Sequence, residues 1–167
     1  MALDTPHVSA EVFKEGMSRL AGAVNIVTTD GPAGRAGLTA TAVCSVSADP
    51  PTLLVCVNTT GSAADAFAAN EAVCINTIGA DHQALAMLFG GKTPMDERFD
   101  DLNWRTAVSG APVLKESVVS FDCTVASRVV SGTHEVLFCE VIEITQAPEA
   151  GALVYFDRRF HTLPSGA

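Results

Sequence analysis

The chain has 167 residues and a formal net charge of −9, with 48% hydrophobic and only 17% charged residues. Its length fits a single domain over residues 1–167. The acidic balance argues against nucleic acid as a partner, because such a partner requires a basic face. So few charges would leave apolar surface exposed on a monomer, and the composition therefore favours a homodimer.

The cysteines and the N-terminal segment bear on the cellular compartment. The cysteines are odd in number, form no C-x-x-C pair and lie in apolar runs, namely Cys44, Cys56, Cys74, Cys123 and Cys139. This pattern predicts reduced core thiols rather than a disulfide framework or a zinc site. The N-terminal residues lack the regions of a signal peptide, and no apolar run is long enough to span a membrane. We therefore expect a cytoplasmic protein.

The first third of the chain predicts one helix followed by paired strands. Ser9 is a capping residue for an amphipathic helix that extends to about Gly22. The β-branched run 23–29 predicts a strand, and the glycine-rich turn 30–37 leads into a partner strand over 38–47.

Prolines divide the next segment. Asp49-Pro50-Pro51 is expected to interrupt strand pairing, because proline has no amide to donate to a ladder. The continuous apolar run 52–58 predicts a strand buried on both faces. The pattern then predicts an alanine-rich helix over 61–70, a strand over 72–78, and a short helix over 82–89 capped by Asp81.

The second half begins with an irregular segment, 90–112, whose length indicates a functional or interfacial role. From Ser117 onward, apolar and polar residues alternate, which predicts a half-buried antiparallel strand with Ser120, Asp122 and Thr124 on its polar face. A turn at Gly132-Thr133 and strands over 134–144, 152–156 and 159–163 complete the chain. The predicted fold is mainly β with peripheral helices, arranged as a closed or nearly closed antiparallel barrel.

The first candidate site is a strand of small and polar residues around Thr39, Ala40, Thr41, Cys44 and Ser45. Small side chains allow a planar ligand to lie against the backbone, whose amides and carbonyls can match the edge of a ring. Tight packing inside a barrel explains the same composition, and the residues alone favour that alternative.

The second candidate site lies where a strand ends and a helix begins, at Asn58 and Ser62. Free amides there suit a phosphate, although Ser62 could equally be an ordinary cap. Lys92 and Arg98 flank a glycine-rich segment and could add charge at the same phosphate, or be solvated loop residues.

Two further features could contact a ligand. His134 directly follows the turn at Gly132-Thr133, where it could orient a ring or simply be a surface histidine. The run 153–160 combines aromatic and arginine side chains that can stack on flat rings and pair with phosphates. A closing strand with core aromatics explains that run as well.

Taken together, these features resemble the short-chain flavin reductases, which are FMN-binding split barrels that serve two-component monooxygenases. The resemblance runs from about Phe13 to Leu163. Its main stretches are AVNIVTTDGPAGRAGLTATAVCSVSADPPTLLVCVN (23–58), LFGGKTPMDERF (88–99), GTHEVLFCEV (132–141) and LVYFDRRFHTL (153–163).

The resemblance implies roles for the candidate residues. The strand from Thr39 to Val46 would lie along the isoalloxazine ring of the flavin, which adds Val46 to the residues above. Asn58 and Ser62 would approach the ribityl chain and phosphate, with Lys92 or Arg98 neutralising charge. His134 would lie beside the nicotinamide, and the remaining flavin or nucleotide contacts would be Phe89, Tyr155 and Arg158.

The resemblance also implies an activity, in which NADH (or NADPH) reduces FMN (or FAD) by hydride transfer from nicotinamide C4 to flavin N5. Reduced flavin would then pass to a partner monooxygenase. Two alternatives remain open at this stage. One is a flavoprotein that keeps its flavin and reduces another acceptor such as cob(II)yrinic acid a,c-diamide. The other is a non-catalytic flavin- or haem-binding split barrel.

Overall fold

The computed structural model describes residues 6–99, 103–147 and 149–165. Three helices occupy Ala10–Ser18 (α1), Ala64–Ala69 (α2) and Gln83–Gly90 (α3), and short 3-10 turns occupy Ala80–His82 and Met95–Glu97. The strands are Gly22–Ala23 (β1), Asn25–Asp30 (β2), Ala36–Ala40 (β3), Val43–Ala48 (β4), Pro51–Asn58 (β5), Ala72–Thr77 (β6), Trp104–Thr106 (β7), Pro112–Leu114 (β8), Val119–Ser131 (β9), His134–Gln146 (β10), Ala152–Phe156 (β11) and Arg159–Leu163 (β12).

Seven strands form the main antiparallel sheet, in the order β3-β2-β6-β9-β10-β5-β4. Its two edge strands, β3 and β4, are consecutive in the chain and separated only by Thr41 and Ala42. A two-residue link can join opposite edges only if the sheet curls back on itself, which makes the sheet a barrel with a seam at these residues. The predicted β-barrel with peripheral helices is therefore confirmed.

The inside of the barrel is filled by branched apolar side chains, among them the fully buried Val27, Val55, Ile75 and Leu137, with Phe67 of α2 closing one end. A second apolar cluster lies outside the sheet, where α3 and β11 pack around Ile26, Phe89, Trp104 and Leu153. The smaller sheet β1-β11-β12 covers this second cluster.

The strand predicted over 38–47 is wrong, because the chain breaks at Thr41-Ala42 into β3 and β4. A tight bend there is closed by the Val43 amide, which donates to the Thr41 carbonyl at 2.9 Å. Strand β4 is an exposed edge strand, so Cys44 is exposed rather than a core thiol. Small residues at this position signal a barrel corner, which periodicity within one strand cannot reveal.

Two predictions of burial are also wrong. Strand β5 alternates, with Leu53, Val55 and Val57 buried and the residues between them only half-buried. In β9 the face predicted to be exposed is exposed at Thr124 but covered at Ser120 and Asp122, which are each 2% exposed. The strands β7 and β8 cover that face, and Asp122 accepts hydrogen bonds from the amide and hydroxyl of Ser109.

The first two helices are shorter than predicted, and the third is shifted by one residue. Helix α1 begins after Ser9, whose hydroxyl accepts from the Val12 amide at 3.3 Å as expected for a cap, but it ends at Ser18. Helix α2 has only six residues, and α3 has no side-chain cap, so the prediction of Asp81 as its cap is wrong. A 3-10 turn over Ala80–His82 precedes α3 instead. Among the described helices, none is long and apolar enough to cross a membrane.

Candidate active site

Three cavities meet at the end of β3 and share Thr41 as a common wall. The loop cavity, of about 390 Å³, lies between β3, the loop after β5 and the C-terminal end of α3. The hairpin cavity, of about 590 Å³, lies between β3, α3 and the β11–β12 hairpin. The helix cavity, of about 940 Å³, lies between α1, β4 and β5. We call the three together the groove.

Most of the candidate residues line this groove. Eight of them meet in the loop cavity, namely Thr39, Ala40, Thr41, Asn58, Ser62, Phe89, Arg98 and His134. Cys44 lines the helix cavity, and Tyr155 and Arg158 line both the helix and hairpin cavities. Ser45, Val46 and Lys92 are exposed and line none of the three. For Ser45 and Val46 the reason is the break at Thr41-Ala42, which places them on the edge strand β4.

Asn58 and His134 lie side by side because the register of β5 and β10 pairs them directly. The Asn58 Oδ1 accepts from the amide and the hydroxyl of Thr60, both at 2.9 Å, which shapes the loop that follows. The Nδ1 of His134 lies 2.9 Å from the hydroxyl of Thr133. One nitrogen of the exposed imidazole is thus oriented from within the turn, and the other can face a ligand.

Arg98 is the most buried charged residue of the groove, at 3% exposure. Its five N–H groups all reach acceptors, four of which are the carbonyls of Thr93, Gly37, Phe89 and Gly91, at 2.9 to 3.2 Å. The fifth donates to the Ser62 hydroxyl at 3.2 Å. Arg98 therefore ties β3, α3 and the loop after β5 together, and keeps its positive charge at the floor of the loop cavity.

Ser62 is not a helix cap. The residue before α2 is Ala63, and no side chain caps that helix. The Ser62 hydroxyl accepts from Arg98, so its own hydrogen is free to point toward an acceptor in the cavity. In the described structure the amides of Ser62 and Ala63 donate to no other group, which provides two further donors.

Strand β3 presents backbone groups to the groove because it is a sheet edge. The Gly37 amide and carbonyl point away from β2, toward Met95 Sδ and Arg98. Strand alternation turns the amide and carbonyl of Thr39 the same way. The Thr39 hydroxyl donates to the Ala86 carbonyl at 2.7 Å, so this side chain ties β3 to α3. The Thr39 amide and carbonyl can therefore form hydrogen bonds with an acceptor and a donor of a ligand.

Phe89 is buried against Gly37 of β3, and its ring fits there only because Gly37 has no side chain. A Cβ added to Gly37 would lie 2.6 Å from the Phe89 Cε1 and 3.2 Å from the Phe99 Cζ. Phe89, Phe99 and Trp104 form a cluster with ring centroids 5.0 to 5.5 Å apart. This cluster fixes the end of α3 where Gly90 and Gly91 border the loop cavity.

The lining of the groove is positive although the protein is acidic. Lys14, Arg98 and Arg158 line the three cavities, and no described lining residue is a carboxylate. The whole chain carries 19 acidic and 10 basic residues. The excess of basic over acidic residues in the lining makes the groove attractive to anions, with Glu15 pairing one of the three cations, Arg158, from α1.

Two thiols line the helix cavity. Partial burial raises the pKa of the Cys56 thiol, which keeps it protonated at neutral pH. Among the described residues, no group of three or more histidine, cysteine, aspartate or glutamate side chains is placed to hold a metal ion.

Sequence reasoning missed Lys14 and Gly37. Lys14 lies on the first helix, one turn before Ser18, which also lines the helix cavity. The helical period could have shown this shared face, but not which element the face packs against. Gly37 could not be recognised, because its role depends on a ring 52 residues further along the chain.

A β-barrel with a groove of this volume and a cationic lining is suited to anionic ligands of nucleotide size. Residues 17–164 match the family model described as the flavin reductase like domain. The chain belongs to this family of flavin oxidoreductases, and the family resemblance predicted from the sequence is confirmed.

Its relatives include proteins named FMN reductase (NADH) RutF. The protein of that name from Cronobacter sakazakii is 56% identical over 153 residues, covering 92% of both chains. The one from Serratia proteamaculans is 50% identical over 161 residues, which cover 96% of this chain and 92% of the relative.

Solved structures of flavin reductases share the fold. A Haemophilus somnus 129PT protein assigned as a flavin reductase has a TM-score of 0.89 and 40% identity, covering 93% of this chain and all of its own. BorF, the flavin reductase component of a bacterial two-component tryptophan halogenase, has a TM-score of 0.88 and 26% identity, covering 95% of this chain and 100% of its own.

Proposed function

We propose that this protein is an NADH-dependent FMN reductase. The observation that carries the proposal is the groove itself. Its three cavities meet at Thr41, and its described lining includes three cations and no carboxylate. A groove of this kind can hold two anionic nucleotides with their rings in contact. The names of the relatives, FMN reductase (NADH), supply the identity of those nucleotides.

The loop cavity fits the phosphate of FMN. Its donor set consists of the Ser62 hydroxyl, the amides of Ser62 and Ala63, and the buried charge of Arg98 behind them. Hydrogen-bond donors backed by a cation suit a phosphate dianion. The ring of the flavin then extends along the open edge of β3, where the Thr39 backbone offers one donor and one acceptor.

His134 is positioned to orient the second nucleotide. When both nucleotides are bound, hydride passes from nicotinamide C4 to flavin N5, and this chemistry belongs to the cofactors. The protein contributes stacking geometry, because a near-attack arrangement lowers the entropic part of the barrier. The exposed imidazole at the mouth of the loop cavity donates to or accepts from the nicotinamide amide, and we assign it no proton-transfer role.

We propose in addition that the functional unit is a homodimer. Helix α1 has no buried residue, and its Val12 and Phe13, with Leu20 just after its end, are each at least 60% exposed. An amphipathic helix whose apolar face is uncovered in one copy gains stability when a second copy covers it. Sedimentation at micromolar concentration tests this, with Phe13→Asp expected to shift the mass toward the monomer.

Reduced FMN is proposed to leave the groove for a partner oxygenase. Asn58, Ser62 and His134 are all exposed, so the loop cavity stays open to solvent on one side. BorF, a structural relative, is the reductase component of a two-component halogenase. The partner of this chain is then an enzyme that uses free reduced flavin, which an oxygenase reconstitution across a dialysis membrane can test.

The central test is NADH oxidation, followed by absorbance, with FMN, FAD and riboflavin supplied separately. We expect turnover with FMN and a higher KM for riboflavin, which lacks the phosphate. His134→Ala should raise the KM for NADH by about tenfold, equivalent to about 1.4 kcal/mol of binding, with little change in the KM for FMN. His7→Ala is the matched control, because His7 is exposed and lines none of the three cavities. Absence of turnover with every flavin would refute the proposed function.

A further inference from the structure

Arg158 occupies a backbone conformation that its side chain disfavours. Asp157 and Arg158 have φ angles of +50° and +59° and form the two-residue turn between β11 and β12. Such a turn needs left-handed backbone at both central positions, which glycine and asparagine accept with least cost. Non-glycine residues held this way are concentrated at functional sites.

Arg158 lines the groove at the helix cavity, away from the residues of the loop cavity. It contributes to the helix cavity and the hairpin cavity, but not to the loop cavity. Its Nη1 lies 2.8 Å from the Glu15 Oε2 of α1, and both side chains are 56% exposed. One edge of the guanidinium is therefore held by α1, while the other N–H groups remain for a ligand.

Lys14 supplies a second cation at the same end. It lines the helix cavity, and none of the ion pairs within the described residues involves it. Arg98 is the third cation of the groove lining, and all five of its N–H groups are already bonded. Lys14 and Arg158 are thus the cations with donors to spare.

We propose that Lys14 and Arg158 bind the pyrophosphate of the nicotinamide dinucleotide. This inference rests on the proposed function, in which the FMN phosphate takes the loop cavity. With the flavin ring along Thr39 to Thr41, a nicotinamide stacked on that ring has the helix cavity beside it for its other half. That cavity is the largest of the three, at about 940 Å³, and two cations line it.

Electrostatics favours this assignment. A dinucleotide carries two phosphate charges and approaches a protein of net charge −9. Without local cations its approach and binding would both be disfavoured. The planar fork of Arg158 suits a bidentate contact with pyrophosphate oxygens, and Lys14 acts as a point charge.

The test compares Arg158→Gly with Arg159→Ala in the active enzyme. Glycine relieves the left-handed backbone at position 158, so Tm should be unchanged or raised by a few degrees. We expect the KM for NADH to rise about tenfold, the effect of losing a charge-assisted contact, while kcat and the KM for FMN stay within about twofold. Lys14→Ala should raise the KM for NADH about threefold. Arg159 is exposed, lines none of the cavities and should leave all constants unchanged.

Three outcomes would overturn the inference while leaving the proposed function intact. One is an unchanged KM for NADH in both the Arg158→Gly and Lys14→Ala variants. Another is a rise in the KM for FMN instead of that for NADH. The third is a loss seen only with NADPH, which would assign the cations to a 2′-phosphate. If wild-type protein oxidises NADH with no flavin, the proposed function itself fails.

Discussion

Arg98 and Arg158 line different cavities of the groove, which we call its loop end and its helix end, and they are held by opposite means. Arg98 is 3% exposed and donates to four carbonyls and a hydroxyl from three parts of the chain. Arg158 is more than half exposed and has one ion pair with a helix that buries no residue. The loop end is therefore built into the fold, whereas the helix end is attached to its surface.

This difference fits a division of labour between the two proposed ligands. A rigid site with satisfied donors holds one nucleotide phosphate in a fixed position, which sets the flavin ring against β3. A site on exposed side chains can admit and release the second nucleotide in each catalytic cycle. Substitutions at the loop end should accordingly have large effects on stability, and those at the helix end should mainly affect the binding of the second nucleotide.

Arg98→Met is expected to have the largest effect. It leaves the carbonyls of Gly37, Phe89 and Gly91 and the Ser62 hydroxyl without their donor in a buried site, at a cost of about 3–5 kcal/mol of unfolding free energy. Urea denaturation measures this loss, and the affinity for FMN should fall with it. Arg159→Met, at an exposed position, serves as the control and should change stability by less than about 0.5 kcal/mol. Equal stability of the two variants would contradict the structural role of Arg98.

The same comparison can be made with one kind of substitution at both ends. Gly37→Ala places a Cβ 2.6 Å from the Phe89 ring and should cost about 1–3 kcal/mol, because the ring is packed on every side. Gly16→Ala, in α1, meets no atom within 4 Å and should stabilise the helix by about 0.5–1 kcal/mol. Thermal unfolding of both variants shows whether each substitution raises or lowers the stability. A stabilising Gly37→Ala would mean that α3 can move away from β3.

Much of the difference between the loop end and the helix end could not be predicted from the sequence. The turn at Gly132-Thr133 and the strands 152–156 and 159–163 follow from local chemistry and agree with the structure. The pattern places Asn58 and His134 at strand ends, and the register of β5 and β10 brings these two together. The role of Arg98 depends on carbonyls from β3, α3 and the glycine loop, which no local pattern connects. Likewise, the alternation within β9 predicted that Asp122 is exposed, because that pattern does not show that the preceding strands β7 and β8 fold back over this face.

Thiol titration extends the comparison to pH. Burial raises the pKa of the Cys139 thiol to about 12, and those of Cys74 and Cys123 still further, from a usual value of 9.0. The folded state thus holds these protons after the unfolded state has lost them. Their stabilisation is present below pH 9 and is lost as pH rises toward the folded pKa, at about 1.4 kcal/mol per thiol per pH unit.

Urea denaturation between pH 8 and about pH 10.5 measures how the unfolding free energy falls with pH. The fall begins near the thiol pKa of the unfolded state. Cys139→Ala should reduce this loss of unfolding free energy per pH unit by the amount that one buried thiol contributes. Cys44→Ser should not change it, because Cys44 is exposed. Identical slopes in the wild type and Cys139→Ala would show that this thiol ionises freely in the folded protein.

The smallest effect is expected at the attachment of α1. Arg19 lies 3.6 Å from Asp157 and 3.9 Å from Glu15, with 62% of its side chain exposed. Exposed ion pairs contribute about 0–1 kcal/mol, so Arg19→Gln should lower the unfolding free energy by less than about 0.5 kcal/mol. The Asp157 amide still donates to the Ser18 carbonyl at 2.7 Å, which keeps the helix end joined to the turn that carries Arg158. Added salt should produce a smaller loss in the variant than in the wild type, because only the Arg158–Glu15 pair is left there to screen. A loss of several kcal/mol would instead show that α1 is as firmly built in as the loop end.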